Sequence, residues 1–161
     1  MIRFTAPIAA AFLAFACAPG PAPAPPPAAA DFTITLERQR CFGACPDYVV
    51  EIDEQGVVRY TGRAFVEAVG PRGRQVSPAE ARALYDRFIA SDFFALNPEY
   101  AAQVTDMPTY ILTLRDGSRT HRVRDYAGRM MGMPEIVTEL ENAVDRTANT
   151  REWTGRVPPQ D

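Results

Sequence analysis

Reactive side chains are sparse enough in this chain to be read one at a time: it carries three cysteines and a single histidine. Two of the cysteines sit in Cys41-Phe-Gly-Ala-Cys45-Pro46, with three residues between them. Three chemistries compete for such a pair. A structural disulfide suits an exported chain, and Gly43 and Pro46 keep the loop out of the helical geometry that would misdirect the two sulfurs. A thiol-disulfide enzyme of the thioredoxin kind uses two intervening residues and puts its first cysteine at a helix N-terminus, which lowers the thiol pKa; here the spacing is longer and the pair leads into a strand. A structural zinc needs four ligands, and the pair plus His121 supplies three. The disulfide is the favoured reading, with no metal and no cofactor expected.

His121 lies in Arg119-Thr-His-Arg-Val-Arg124, on the same side of a strand as Val123. A serine hydrolase would have to use it, yet the nearest serine, Ser118, belongs to a turn, and no Gly-x-Ser-x-Gly elbow exists. Asp106, in Val104-Thr-Asp-Met-Pro108, and Tyr100 upstream fall in an irregular connection of the kind that often carries binding residues. An Asx turn is the structural explanation for Asp106. Tyr100, Asp106 and His121 are therefore candidate binding residues, and no residue is assigned as catalytic. Gly70-Pro-Arg-Gly-Arg74 could cradle an anion but lacks the Lys-Ser/Thr ending of a phosphate loop, so it reads as a surface loop. Arg59 and Arg63 are expected to face Glu51 or Asp53 across a hairpin in solvated pairs of small net energy.

The elements that must position these residues emerge from hydrophobic period and turn chemistry. Phe32-Thr-Ile-Thr-Leu-Glu37 alternates apolar and polar residues, a strand with Phe32, Ile34 and Leu36 inward. Tyr48–Asp53 and Val57–Gly62 flank Glu54-Gln-Gly56 as a hairpin, and a fourth strand is expected over Ala64–Val69. Ser77-Pro-Ala-Glu80 combines an N-cap serine, a proline at the first helical position and a glutamate at the third. The helix that begins there and runs to about Ser91 presents Leu84, Tyr85, Phe88 and Ile89 on one face, with Phe93 and Phe94 completing that surface. Thr109–Leu114 and Arg119–Arg124 flank Asp116-Gly117 as a second hairpin. A last helix starts near Pro134 with Ile136, Val137, Leu140 and Val144 on one side, and the chain then frays through Trp153. The fold class is α+β: a single antiparallel sheet of about six strands, order ββββαββα, with two helices packed on one face.

Residues 1–16 carry one early positive charge, Arg3, and then a short apolar run, the pattern of a cleavable signal; the run is too short to cross a membrane as a helix. Residues 17–30 are a Pro/Ala-rich tether without the apolar surface to fold. Cys17 decides whether the exported chain is anchored or free. Leu13-Ala-Phe-Ala-Cys17 resembles a lipoprotein box, whereas Ala14-Phe-Ala16 also satisfies the small-x-small rule of ordinary signal cleavage. Lipidation of Cys17 is favoured because it leaves Cys41 and Cys45 as an even pair. The domain organisation is then signal (1–16), tether (17–30), one α+β domain (31–153) and a polar tail (154–161). The expected location is the periplasmic side of an outer membrane as a lipoprotein, or the soluble periplasm.

At 161 residues, with 47% hydrophobic and 23% charged, the chain has the balance of one foldable domain. A formal net charge of -3 leaves no positive excess for phosphates, so no nucleic-acid partner is expected. All 17 basic residues are arginine, scattered along the chain, which codon bias explains better than function does.

Cys41-Phe-Gly-Ala-Cys45-Pro-Asp-Tyr48, together with Ile52-Asp53, Gly56 and Val58-Arg-Tyr-Thr-Gly62, resembles the bacterial family called domain of unknown function 6438. Tyr100, Thr105-Asp-Met-Pro108, the strands around Asp116-Gly117 and the closing helix with Trp153 fit as well. The resemblance implies an exported or lipid-anchored envelope domain and carries over no reaction or ligand. The leading expectation is a non-catalytic binding or interaction module, anchored to a membrane by an N-terminal lipid, whose partner is an envelope protein or small ligand. The enzymatic alternative is a thiol-disulfide oxidoreductase using Cys41 and Cys45.

Overall fold

The computed structural model describes residues 31–155, so the expected signal, tether, Cys17 and most of the tail lie outside the described residues. Alternating sequence builds the centre of the domain. Strand β1 (Phe32–Gln39) buries every second residue, Phe32, Ile34, Leu36 and Arg38. It pairs on one side with β2 (Asp47–Asp53) and on the other with β6 (Thr109–Asp116), both antiparallel. β3 (Val57–Ala64) is joined to β2 by a turn in which Gly56 takes φ +79°. A Cβ there would meet the Val76 carbonyl oxygen at 2.4 Å, so glycine is required on steric grounds as well as conformational ones.

With β4 (Gly70–Gln75), β7 (Arg119–Tyr126) and the three-residue β5 (Glu99–Ala101), the strands form one sheet in the order β4-β3-β2-β1-β6-β7-β5. The sheet has seven strands where six are expected, and it is not wholly antiparallel, because β5 runs parallel to β7. Glu-Tyr-Ala is too short to show a period, and its pairing is fixed from outside, by Pro98 and Tyr126 carbonyls that accept from Arg124 and Ala102 amides.

Helix α1 (Pro78–Ala90) starts with the full capping box: Ser77 Oγ accepts from the Glu80 amide, and the Glu80 carboxylate accepts from the Ser77 amide at 2.9 Å. Tyr85 stacks on Phe32 at 4.5 Å between ring centroids, and Asp145 of α2 (Glu135–Ala148) bonds Arg38. Phe32 and Arg38 share a face of β1, so both helices cover the same side of the sheet. Leu84, Phe88, Phe93, Val137, Leu140 and Val144 complete the core there. The opposite face carries Thr33, Thr35 and Glu37 and is half-exposed and polar.

Four local expectations are corrected. The fourth strand is not Ala64–Val69; Ala64 ends β3 and residues 65–68 bend, and the strand is Gly70–Gln75, the segment expected as a loop, held by pairing of its backbone with β3. Ile89 is exposed, because the buried stripe of α1 runs through Ala81, Leu84, Tyr85 and Phe88. The chain does not fray before Trp153: α3 (Arg151–Thr154) comes directly after α2, and Trp153 is buried, its ring 4.9 Å from Tyr60 and its face under Arg74. Arg59 does reach Glu51 and Asp53, both at 3.1 Å, but Arg63 pairs with Glu37 at 2.5 Å and Asp47 at 3.4 Å.

Candidate functional site

The register of β1 against β6 and of β6 against β7 brings Arg38, Tyr110 and Asp125 into one row on the helix-covered face. At this end of the sheet the middle of α2 and the turn Gly128–Met131 face each other across this row. They leave a cleft of about 440 Å³, within the range of small-ligand sites. Its floor is Arg38 and Tyr110, one wall is Thr138, Glu141 and Asn142 of α2, and Met107 and Met130 stand at its rim.

The floor is fixed by a buried polar network. Arg38 Nε donates to Asp145 Oδ2 at 2.8 Å, and its Nη2 approaches the same oxygen at 2.7 Å. Tyr48 and Thr150 hydroxyls donate to Asp145 Oδ1 at 2.6 and 2.7 Å. The Arg38 guanidinium lies over the Tyr110 ring, 4.3 Å from its centroid, and reaches Asn142 Oδ1 at 3.4 Å. Burial alone would favour loss of the Arg38 proton, yet the Asp145 carboxylate overrides it and raises the guanidinium pKa further above its ordinary value. Burial, reinforced by Asp145, likewise raises the Tyr48 hydroxyl and keeps it a donor. Arg38 is therefore a permanent cation whose partners are already in place, suited to shaping a site rather than to moving protons.

The outer wall depends on close approach. The Gly128 amide donates to Asp125 Oδ1 at 2.7 Å. A Cβ on Gly128 would sit 2.8 Å from that oxygen, 2.8 Å from Tyr100 Cβ and 2.9 Å from Met133 Sδ. The turn can seat against β5 and β7 only because this position has no side chain.

Cys41 and Cys45 form a disulfide with Cα atoms 5.6 Å apart. Neither cysteine opens a helix; the five residues form a bend between β1 and β2, so the helix-terminus field that activates thiols in oxidoreductases is missing here. Because Gln39 pairs with Thr109, this loop lies at the same end of the sheet as Met107 and the cleft. It presents Phe42 almost fully to solvent, at 88% exposure.

The stretch from Phe32 to Ala148 that builds the sheet, the cleft and the Asp145 network matches the family described as Domain of unknown function (DUF6438), over residues 32–148. The chain belongs to this family. No curated protein matches it. In this DUF6438 domain the residues of the Cys41–Tyr48 motif divide their work: the disulfide closes the loop, and Tyr48 anchors the loop's exit to α2 through Asp145.

The three candidate binding residues are placed differently from one another. Tyr100 is buried, its hydroxyl accepting from the Asn97 amide at 3.2 Å, and it packs behind Gly128 at the back of the cleft wall. Asp106 is exposed at φ +71°, its carboxylate accepting from the Thr105 hydroxyl at 3.2 Å, one residue before rim Met107. His121 lies further along β7, its Nε2 3.0 Å from the Leu96 carbonyl and its ring against the edge of Phe93, away from the cleft. Among the described residues no group of three or more histidines, cysteines and acids is arranged to hold a metal.

Sequence reading missed Arg38, Glu141, Asn142, Tyr110 and the methionines. Signals for them existed. Arg38 continues the inward set Phe32, Ile34, Leu36 by period two, and Glu141 and Asp145 fall on the apolar stripe of α2 with Val137, Leu140 and Val144. A charge at an inward position is the mark of a buried network.

Proposed function

We propose that this DUF6438 domain is a non-catalytic binding module of the bacterial cell envelope and that it binds through the cleft between α2 and the β6–β7 end of the sheet. One observation carries the reading: solvent-exposed Phe42, Met107 and Met130 stand at the end of the sheet where a buried, fully engaged charge network fixes the floor of a ligand-sized cavity. Exposed large apolar groups gathered around a concave, pre-organised surface are the usual mark of a binding site. The disulfide fits this role as a brace for the loop that exposes Phe42 at this end of the sheet. Export, lipidation of Cys17 and anchoring on the periplasmic side of an outer membrane, or release into the periplasm, complete the proposal; the signal pattern and the even remaining cysteine pair support it.

A photo-crosslinking residue placed at Met130 and, separately, at Gly117 on the opposite end of the sheet tests the site in intact cells. Adducts from the first position and none from the second are expected. Equal or opposite labelling removes the cleft as the binding surface. Intact-mass analysis of the mature protein checks export: it should begin at Cys17, carry a lipid and show Cys41 and Cys45 oxidised.

A further inference from the structure

Exposed apolar side chains scattered singly over a surface are ordinary; gathered in one place they mark a contact surface. Among the described residues seven large apolar side chains are exposed, and six of them, Phe42, Phe65, Val69, Met107, Met130 and Met131, lie at one end of the sheet. Strand direction puts them there. β1, β3, β5 and β7 end where β2, β4 and β6 begin, so the β1–β2, β3–β4, β5–β6 and β7–α2 connections all emerge at that end. The seventh, Ile89, is on α1. Two of the six are held out of the core by their own backbone. Phe42 is 88% exposed on a loop closed by the Cys41–Cys45 bond. Phe65 takes φ +55°, a region that disfavours a bulky side chain, yet it stays exposed, so burial within the domain does not offset the strain.

The distribution of these groups identifies what they meet. From the β3–β4 connection to the turn after β7 they spread over about 20 Å at ordinary strand spacing. A protein partner is held by a central cluster of anchors in packed pockets, whereas a fluid apolar phase conforms to separate points. The four connections carry Arg40 and Arg129 against Glu67 and Asp106, a net charge of zero, so apolar burial is left as the attraction. We infer that this end of the domain docks on a lipid bilayer, with Phe42 and the apolar residues of the other three connections entering the boundary between headgroups and acyl chains. This rests on the reading of this end as the binding surface and names the surface it meets. Reach permits it. With Cys17 as the anchor, the chain enters β1 at the far end of the sheet, but the 14 residues of 17–30 extend to at most roughly 50 Å, well beyond the about 26 Å of β1.

The test is flotation with phosphatidylcholine vesicles of the chain begun at residue 17 with Cys17→Ala, so that no attached lipid contributes. Binding is expected, and raising the ionic strength should not weaken it. Phe42→Ser should lower the partition coefficient about 10-fold or more, the scale of one buried phenylalanine side chain, with the thermal midpoint unaltered. Ile89→Ser, outside these connections, should leave partitioning unchanged. Phe42→Trp gives a readout by gain of signal: its emission shifts to the blue on vesicles and is quenched by brominated acyl chains. The same chain with Phe42 intact, whose single tryptophan, Trp153, is buried, shows neither change. Absence of vesicle binding, its loss at raised ionic strength, undiminished partitioning of Phe42→Ser, or an equal loss in Ile89→Ser overturns the inference. Crosslinks from position 130 to a protein without vesicle binding would retain the binding module and put a protein in the bilayer's place; absence of both would remove this end as a binding surface.

Discussion

Arg38 and Asp145 are 107 positions apart in sequence and joined by a hydrogen bond of 2.8 Å with almost no solvent at either side chain. The pair ties the inward face of β1 to the last turns of α2 and holds Arg38 in place in the floor of the cleft. Removing one member leaves a buried charge without its counter-ion, whereas replacing both with apolar groups does not. Asp145→Ala is therefore expected to destabilise by about 3–5 kcal/mol, because it strands the Arg38 guanidinium and also orphans the Tyr48 and Thr150 hydroxyls, while Arg38→Met with Asp145→Leu recovers the part due to the stranded charge and leaves the two hydroxyls unpaired. Urea denaturation of the two variants and the parent checks this. A single substitution within about 1 kcal/mol of the parent would show that the network is not what seats α2.

The disulfide closes a loop of five residues, for which chain entropy gives about 2 kcal/mol. Reduction, or Cys41→Ser with Cys45→Ser, should lower the thermal midpoint without altering the far-ultraviolet circular dichroism. A reduction potential below about -300 mV is expected of a bond with this role. A value near those of thiol oxidoreductases, together with insulin-reduction activity, would favour the enzymatic alternative.

The elements legible in sequence, α1, β1 and the two hairpins, are those that carry their own local cause. Ser77 and Glu80 announce α1, Gly56 and Gly117 mark the two hairpins, and the period of two in Phe32–Glu37 places β1. What was not legible depends on register. Arg38, Tyr110 and Asp125 share a row only once β1, β6 and β7 are aligned, and Met107 and Met130 come to line one cleft only across that alignment. Ile89 was misread for a related reason: the period of α1 allows it on the core face, but the core beneath is already filled by Leu84, Phe88 and Phe93.

Gly128 is a position where a small change should reach the cleft directly. A methyl group there meets the Asp125 carboxylate, Tyr100 and Met133 at under 3 Å, and backbone and strand β5 would have to move to admit it. Gly128→Ala is expected to cost about 1–3 kcal/mol, the range of overpacking, and to weaken binding at the cleft more than an equally destabilising change elsewhere, such as Ser77→Ala at the α1 cap. Equal effects of the two on binding would show that the turn does not define the wall.

Tyr60 gives the last prediction, and it concerns alkaline pH. Its hydroxyl is buried and makes no hydrogen bond within the described protein, and burial pushes its pKa up to about 12. An unfolded tyrosine titrates near about 10, so between the two values the unfolded chain has lost a proton that the folded chain keeps. The stability tied to Tyr60 is accordingly complete below the unfolded value and is lost as pH rises through the folded one. Tyr60→Phe removes both the unpartnered hydroxyl and this titration. At neutral pH it should be neutral or stabilising by up to about 1 kcal/mol, and it should flatten the fall in urea midpoint above about pH 10. The fall will not vanish, since burial and Asp145 raise Tyr48 in the same sense. A clear loss of stability at neutral pH would mean that the Tyr60 hydroxyl is satisfied in solution, and an unchanged alkaline slope would mean that it titrates as freely folded as unfolded.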